Sequence, residues 1–241
     1  MKRILLMIIK NIIFVPFMWV RLCYHARHAD KYTAQEHFSF LRWIVGRANH
    51  GGNVRIEAYG KENLPSEDGF ILFPNHQGLY DVLAIIDALP ITFSVISKKE
   101  VKNVPFLKQV FACMKAHFLD RSDVRQAIKI IDDVSVEVAN GRNYVIFPEG
   151  TRSKKGNVIA TDFKGGSFKA ATKAKCPIVP VVLIDAFKPF DTNSIKPVTV
   201  QVHVLKPLFY EDYKDYKTTE IAKMVQMQIQ EVLDENKRVE L

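Results

Sequence analysis

The 241-residue chain has little cysteine: Cys23, Cys113 and Cys176 are odd in number, far apart, and form no Cys-x-x-Cys pair. That excludes a disulfide framework and the common thiolate metal or redox sites, and leaves free thiols that suit a reducing compartment. Low-complexity tracts and internal repeats are missing too, so fibrous and solenoid architectures are excluded. Lys and Arg exceed Asp and Glu by 34 to 26, a net charge of +8. No helix-turn-helix signal, zinc-finger spacing or aromatic strand with interleaved basic residues accompanies that excess, so nucleic acid is not the expected partner. The charge reads instead as attraction to lipid headgroups and acidic substrates. With 48% hydrophobic and 25% charged residues, the chain can bury one sizeable core.

No uninterrupted apolar run reaches the ~20 residues that span a bilayer. Ile4 to Val20 comes closest, but Lys10 and Asn11 interrupt it. A lysine in mid-span costs roughly 2.5–3.5 kcal/mol, so spanning is strained. Arg3, Lys10 and Arg21 lie seven and eleven residues apart. On one helix they fall within about 20° of a line, a basic stripe opposite a wide apolar face, which suits a helix lying in the membrane interface. Pro16 is expected to kink it. Cleavage as a signal peptide is disfavoured, because no small-x-small site follows. A second helix is expected from Thr33, where Thr33 to Glu36 matches a capping box and Phe38, Phe40, Leu41, Trp43, Ile44 and Val45 crowd the stretch after it. Both tryptophans, Trp19 and Trp43, fall in these two segments, and their rings favour the headgroup level. Residues 1–50 therefore read as an amphipathic, membrane-binding two-helix hairpin, and residues 51–241 as a catalytic α/β domain.

After Gly51 and Gly52 the pattern alternates strand and helix. Strand-like runs are Val54 to Tyr59, Phe70 to Phe73, Ile91 to Ile96, His117 to Leu119, Tyr144 to Phe147, Ile178 to Ile184 and Thr199 to Leu205. Ser122 is placed to cap a helix that Gly141 closes, and a last helix is expected from Thr218 towards Asn236. The expected fold is α/β, with a mostly parallel or mixed sheet and helices on both sides.

Two strand ends carry chemistry. After Phe73-Pro74 comes Asn75-His76-Gln77-Gly78-Leu79-Tyr80-Asp81. An imidazole with an ordinary pKa near ~6.5 takes a proton from an alcohol at physiological pH, and a carboxylate on its other nitrogen fixes the tautomer. His76 is the candidate base and Asp81 its orienter. Residues five apart on one helix sit ~140° round the axis, so the pair needs a turn, which Gly78 allows. After Val145-Ile146 comes Phe147-Pro148-Glu149-Gly150-Thr151-Arg152. Arg152 offers a planar fork for a phosphate, Gly150 allows close backbone approach and Thr151 adds a hydroxyl.

Together these segments resemble the glycerolipid acyltransferase family, which acylates lysophosphatidic acid or glycerol 3-phosphate at membranes. The family's first block matches Asn75, His76 and Asp81, its third matches residues 147–152 unchanged, and its Val-Pro-Val strand matches Val179-Pro180-Val181. The second block keeps Phe118 and Arg121 but has Lys115 where the family usually has glycine. The resemblance implies transfer of a fatty acyl group from acyl-CoA or acyl carrier protein to 1-acylglycerol 3-phosphate, giving phosphatidic acid at the cytoplasmic face of a membrane. It calls for no cofactor or metal. Another lysophospholipid or a glycolipid acceptor stays open, as does a non-catalytic lipid-binding protein. With no activated serine or cysteine beside the histidine, direct attack by the acceptor hydroxyl is expected, without an acyl-enzyme. Asn75, Lys98, Arg121, Glu149, Gly150, Thr151 and Arg152 are the substrate-binding candidates. Glu149 is expected to orient an arginine or bind a glycerol hydroxyl. Lys164 to Ser167 is a further glycine-rich candidate for an anion, while Cys113, His117 and His203 read as structural.

Overall fold

A computed structural model describes residues 2–120, 123–153 and 155–239. Seven strands form one sheet: β1 (Val54–Tyr59), β2 (Ile71–Pro74), β3 (Ser94–Lys98), β4 (His117–Leu119), β5 (Tyr144–Val145), β6 (Ile178–Ile184) and β7 (Val198–Val204), in the order β1-β7-β6-β2-β5-β3-β4. All pairs are parallel except β6 with β7. The helices are α1 (Lys2–Lys10), α2 (Val15–Arg27), α3 (Ala34–Gly51), α4 (Asp81–Ala88), α5 (Leu107–Cys113), α6 (Val124–Ala139), α7 (Lys169–Ala174), α8 (Lys188–Asp191), α9 (Tyr210–Tyr213) and α10 (Thr218–Val239).

Successive residues of a strand point to opposite faces, and both faces of this sheet are covered. Leu72, Val145, Val179, Val181 and Leu183 pack on the side of α3, α4 and α5, whereas Ile71, Phe73, Tyr144, Ile178 and Val182 pack on the side of α6, α7 and α10. The central strands therefore read as continuous apolar runs, as parallel strands buried on both sides should. The strand expected at Ile91 to Ile96 starts later, at Ser94. The Ile91 carbonyl is taken by Arg42 and the Thr92 carbonyl by the Asn143 amide, at 3.1 Å, so neither residue is free to join the ladder. Ser122 lies outside the described residues, and the cap of α6 is Asp123, whose carboxylate accepts from the Gln126 amide. Gly141 closes α6 in the left-handed conformation, with φ of 87°.

The expected amino-terminal helix pair is present, but its first member is not one continuous helix. The apolar stretch is broken into α1 and α2, which meet at 99°. The break falls at Asn11 and not at Pro16, which sits in the first turn of α2, where its missing N–H costs nothing. Asn11 is buried and tied to α3: its amide donates to the Met7 and Arg47 carbonyls, and its oxygen accepts from Arg47 Nε at 3.1 Å. Gly51 and Gly52 are where α1 crosses, since a Cβ on either would lie within 2.6 Å of Asn11 or Met7 side-chain atoms. The basic stripe does not form either. Arg3 is 1% exposed and donates to the carbonyls of Gly52 at 2.5 Å and Lys196 at 2.8 Å. Arg3 and Lys10 share α1, but Arg3 is drawn inward by these carbonyls, and the 99° bend takes Arg21 on α2 out of line with both. The aromatic-rich stretch of α3 also faces inward, with Phe38, Phe40, Leu41, Ile44 and Val45 all buried and Trp43 partly exposed.

Replacing Arg3 by alanine would strand the Gly52 and Lys196 carbonyls. Hydrogen bonds from a charged donor contribute about 1.5–3 kcal/mol each, so Arg3→Ala should lower stability by roughly 2–4 kcal/mol. Each kcal/mol shifts the melting temperature of a chain this size by ~2–4 °C. Thermal unfolding checks this, and an unchanged melting temperature would mean that Arg3 is not seated as described.

Candidate active site

The register of β2 against β5 pairs Ile71 with Tyr144 and Leu72 with Val145. Continuing both chains brings Asn75-His76 beside Pro148-Glu149 at the carboxyl edge of the sheet, where open α/β sheets bind ligands. β3 runs parallel to β5 and delivers Lys98 to the same edge.

His76 leaves β2 just before the chain turns into α4, and Asp81 is the first residue of that helix. The Asp81 side chain is fully buried and accepts three donors: Gln77 N–H at 2.7 Å, Gly78 N–H at 2.9 Å and His76 Nδ1 at 2.7 Å. The same carboxylate thus shapes the turn and holds the ring. With Nδ1–H donated to Asp81, Nε2 is left as an acceptor. The ring is 20% exposed and lies against Phe147, with centroids 4.2 Å apart. Gly78 does not take a positive φ; its need is space, because a Cβ there would come within 3.1 Å of Asp191 and 3.2 Å of Phe187.

Glu149 is placed otherwise than expected. It is 0% exposed, Oε1 accepts the His76 N–H at 2.6 Å, and Oε2 accepts the Ala160 N–H at 2.5 Å. It touches no arginine among the described residues and has no free edge for a glycerol hydroxyl. Burial pushes its carboxyl above the usual range, against the pull of the amide bonds. The His76 carbonyl in turn accepts from Ser153 N–H at 2.7 Å. The loop of the second motif therefore grips the main chain of His76 on both sides. Asn75 is also buried: its amide and oxygen pair with the Leu183 carbonyl and N–H at 3.0 and 2.7 Å, fixing β2 to β6. Neither residue is free for substrate.

Gly150 turns with φ of 65°, and the Lys164 ammonium lies over it, 3.0 Å from where a Cβ would be. Thr151 is partly exposed and Arg152 exposed, and Arg152 has no ion pair among the described residues. Lys98 is exposed at the end of β3. Arg121 lies outside the described residues. Sequence reasoning missed a supporting network. Gln77 accepts from Ala186 N–H at 2.7 Å and donates to Asn157 Oδ1 at 2.8 Å, while Asn157 donates to Asp185 at 2.9 Å. The only signal was the place of Gln77 next to His76.

The arrangement is an oriented imidazole at a sheet edge, on the same edge as an exposed arginine that makes no ion pair among the described residues. A family model described as Acyltransferase matches residues 55–184. The chain belongs to that family. It is 32% identical over 211 residues to a 1-acyl-sn-glycerol-3-phosphate acyltransferase of Saccharomyces cerevisiae, covering 84% of this chain and 65% of that one. Against the enzyme of the same name from Cocos nucifera it is 30% identical, covering 77% of this chain and 58% of the relative. This member thus spans roughly three fifths of the length of these two relatives. The fold resembles the crystal structure of the 1-acyl-sn-glycerophosphate (LPA) acyltransferase from Thermotoga maritima, with a TM-score of 0.75, 19% identity and 97% of each chain covered.

Glu149→Gln keeps the shape but turns one acceptor oxygen into a donor that faces an N–H. A buried donor left without its partner costs about 1–3 kcal/mol. The variant should melt several degrees lower and lose activity together, because the His76 backbone loosens. A Glu149→Gln protein as stable as the parent would show that the two amide bonds contribute nothing.

Proposed function

We propose that this chain transfers a fatty acyl group from a thioester donor to the free hydroxyl of 1-acylglycerol 3-phosphate, forming phosphatidic acid. The observation that carries the reading is His76, held at Nδ1 by buried Asp81 with Nε2 open, at the edge where Arg152 stands unpaired among the described residues. The relatives' names supply the substrate class. Nε2 takes the hydroxyl proton as the oxygen bonds to the thioester carbonyl carbon. The tetrahedral adduct then collapses, the carbon–sulfur bond breaks, and the imidazolium returns the proton to the thiolate. Asp81 stabilises the imidazolium in between.

An acyl-enzyme is not supported. Burial pushes the Cys113 and Cys176 thiols up to about 12, which denies them thiolate character. Ser153 is buried, and its hydroxyl meets Lys155 N–H and not a histidine. The acceptor's phosphate is assigned to Arg152, with Lys98 and Arg121 as further cations and Gly150 and Thr151 shaping the loop. Either acyl-CoA or acyl carrier protein serves this chemistry as donor.

We also propose that α1 and α2 seat the protein on a membrane. Leu5, Ile9, Ile12, Ile13, Phe17 and Val20 are each more than half exposed, and a contiguous apolar band of this kind marks an interaction surface. Among the described residues no single helix is long and apolar enough to cross a bilayer, and the bent pair suits seating in the interface. Three free cysteines favour the cytoplasmic side.

His76→Ala should reduce turnover at least a hundredfold, the lower end of what a general base contributes; a release assay with both donors and a panel of lysolipids measures this. Activity above a tenth of the parent's would remove His76 from the mechanism, and preference for another lysolipid would change the acceptor. Arg152→Lys keeps the charge but loses the fork, so it should raise KM for the phosphate-bearing acceptor by roughly tenfold and leave KM for the donor alone. Changing Ile9, Ile13 and Val20 together to serine removes apolar area otherwise buried in lipid, at ~25 cal/mol per Å². Vesicle flotation should fall more than tenfold, with the melting temperature unchanged. Equal flotation would refute the seating.

A further inference from the structure

A cleft of about 420 Å³ opens between α2, α3 and the turn joining them, and none of its lining residues comes from the catalytic loops. That volume lies in the ~300–1,000 Å³ range of small-molecule sites. Its walls are aromatic, from Phe17, Tyr32, Phe40 and Trp43, and its two basic groups are Arg21 and His25. Phe17 and Trp43 are also exposed at the surface, where Phe17 is part of the apolar band of α1 and α2.

His25 is 2% exposed and its ring is sandwiched between Tyr32, 4.1 Å away at 13°, and Phe40, 5.0 Å away at 24°. Its Nδ1 lies 3.1 Å from Nδ1 of His37, whose Nε2 lies 3.0 Å from the Ala29 carbonyl. A carbonyl only accepts, so His37 carries its proton on Nε2 and its Nδ1 is bare. The proton between the rings therefore belongs to His25 Nδ1. His25 Nε2 makes no hydrogen bond among the described residues. When that nitrogen is protonated it becomes a donor, and no other bond in the chain Ala29–His37–His25 has to change. The pair has room for one positive charge, and it sits on His25.

Arg21 is exposed, with its guanidinium 4.8 Å from the Phe40 ring centroid and 5.8 Å from that of Phe17. No carboxylate pairs with it among the described residues. The Glu36 carboxylate also lines the cleft; its Oε2 is held by Thr33 N–H and Oγ1 at 2.8 and 2.9 Å in the capping box, and it makes no ion pair with Arg21. An arginine fork and a buried imidazole with an open nitrogen are anion ligands. The aromatic rim continuous with an apolar band fits what an anionic lipid carries beyond its phosphate.

We propose that this cleft is a second phosphate site, separate from the catalytic loops, which holds the headgroup of a bilayer phospholipid between Arg21 and His25 with its glycerol esters against Phe17 and Trp43. The proposal rests on the membrane seating above only for the source of the lipid. The charged and titratable groups facing His25 are Arg21 on α2, Tyr32 in the turn, and His37 and Glu36 on α3. Burial, His37 and Arg21 all hold the His25 proton affinity below the usual histidine range, and only Glu36 opposes them. At neutral pH the empty site is therefore mostly uncharged at His25. A bound phosphate favours the imidazolium, so binding takes up a proton and strengthens as pH falls.

Calorimetric titration of the whole protein with dihexanoyl phosphatidylglycerol, kept below its micelle-forming concentration, tests this at pH 8 and pH 6. The expected result is a binding class that Arg152→Ala retains, that Arg21→Gln weakens at least tenfold, and that tightens at pH 6 in the parent but not in His25→Phe. Dihexanoylglycerol, which lacks the phosphate, and inorganic phosphate, which lacks the esters, should each bind at least tenfold more weakly. Melting temperatures confirm that the variants are folded. An unchanged isotherm in Arg21→Gln, binding lost in Arg152→Ala alone, or equal affinity for either control compound would each overturn the proposal. Turnover of lysophosphatidate, measured separately, tells the failure of this site from the failure of the catalytic reading.

Discussion

The site depends on one buried carboxylate. Glu149 spans from the loop after β5 to the His76 amide on one oxygen and to the Ala160 amide on the other. Strands that end side by side leave their next amides without ladder partners, and such groups are costly when buried. Glu149 satisfies one such amide, that of His76, together with the Ala160 amide in the loop after β5, and in doing so joins the two motifs into one surface. Asp81 does the complementary task on the side chain. Glu149 fixes where the His76 backbone is, and Asp81 fixes where its ring points. Remote rotations of either loop would displace Nε2 from a hydroxyl that must be met to within hydrogen-bond reach.

The fold was largely legible because its central strands are buried on both faces. Ile178–Ile184 is fully buried at every position and reads as a plain apolar run. Strand order was not legible, since it depends on which crossover returns where, and nothing in β7 announces that it will insert between β1 and β6. The amino-terminal helices show a second limit. Periodicity gives which residues share a face but not what covers that face. Arg3 belonged by angle to a basic stripe, yet the carbonyls left free around Gly52 and Lys196 supplied a better partner than water or lipid. An asparagine at position 11 looked like a flaw in an apolar helix, and it is the pin at the bend.

The site was legible in its chemistry and less so in its scaffolding. Spacing and a glycine were enough to pair His76 with Asp81, because a five-residue separation can close only through a turn. Asn75 and Glu149 were expected to face the substrate, as polar residues in a motif invite. Both are instead consumed by backbone groups, of Leu183 in one case and of His76 and Ala160 in the other. Gln77, Asn157 and Asp185 follow the same logic, holding loops that come together only in the folded chain. No spacing rule links positions 77, 157 and 185, so a single sequence offers no more than the place of Gln77 next to His76.

The same structure explains how a surface helix pair can matter to chemistry at the sheet edge. α3 is the link. It packs on α1 and on α4, and Asn49 near its end donates to Asp87 at 3.0 Å while accepting from the Tyr80 hydroxyl. Tyr80 immediately precedes Asp81, and burial holds its phenol above the usual range, so it stays a neutral donor. The contacts run from α1 through α3 and Asn49 to Tyr80, which is buried and immediately precedes Asp81 at the start of α4. A protein seated on lipid by α1 and α2 would therefore present His76 at a fixed depth and angle. Hydrophobic attraction sets how firmly such a surface binds, but it is non-directional. The direction in which the base faces comes from this short polar relay.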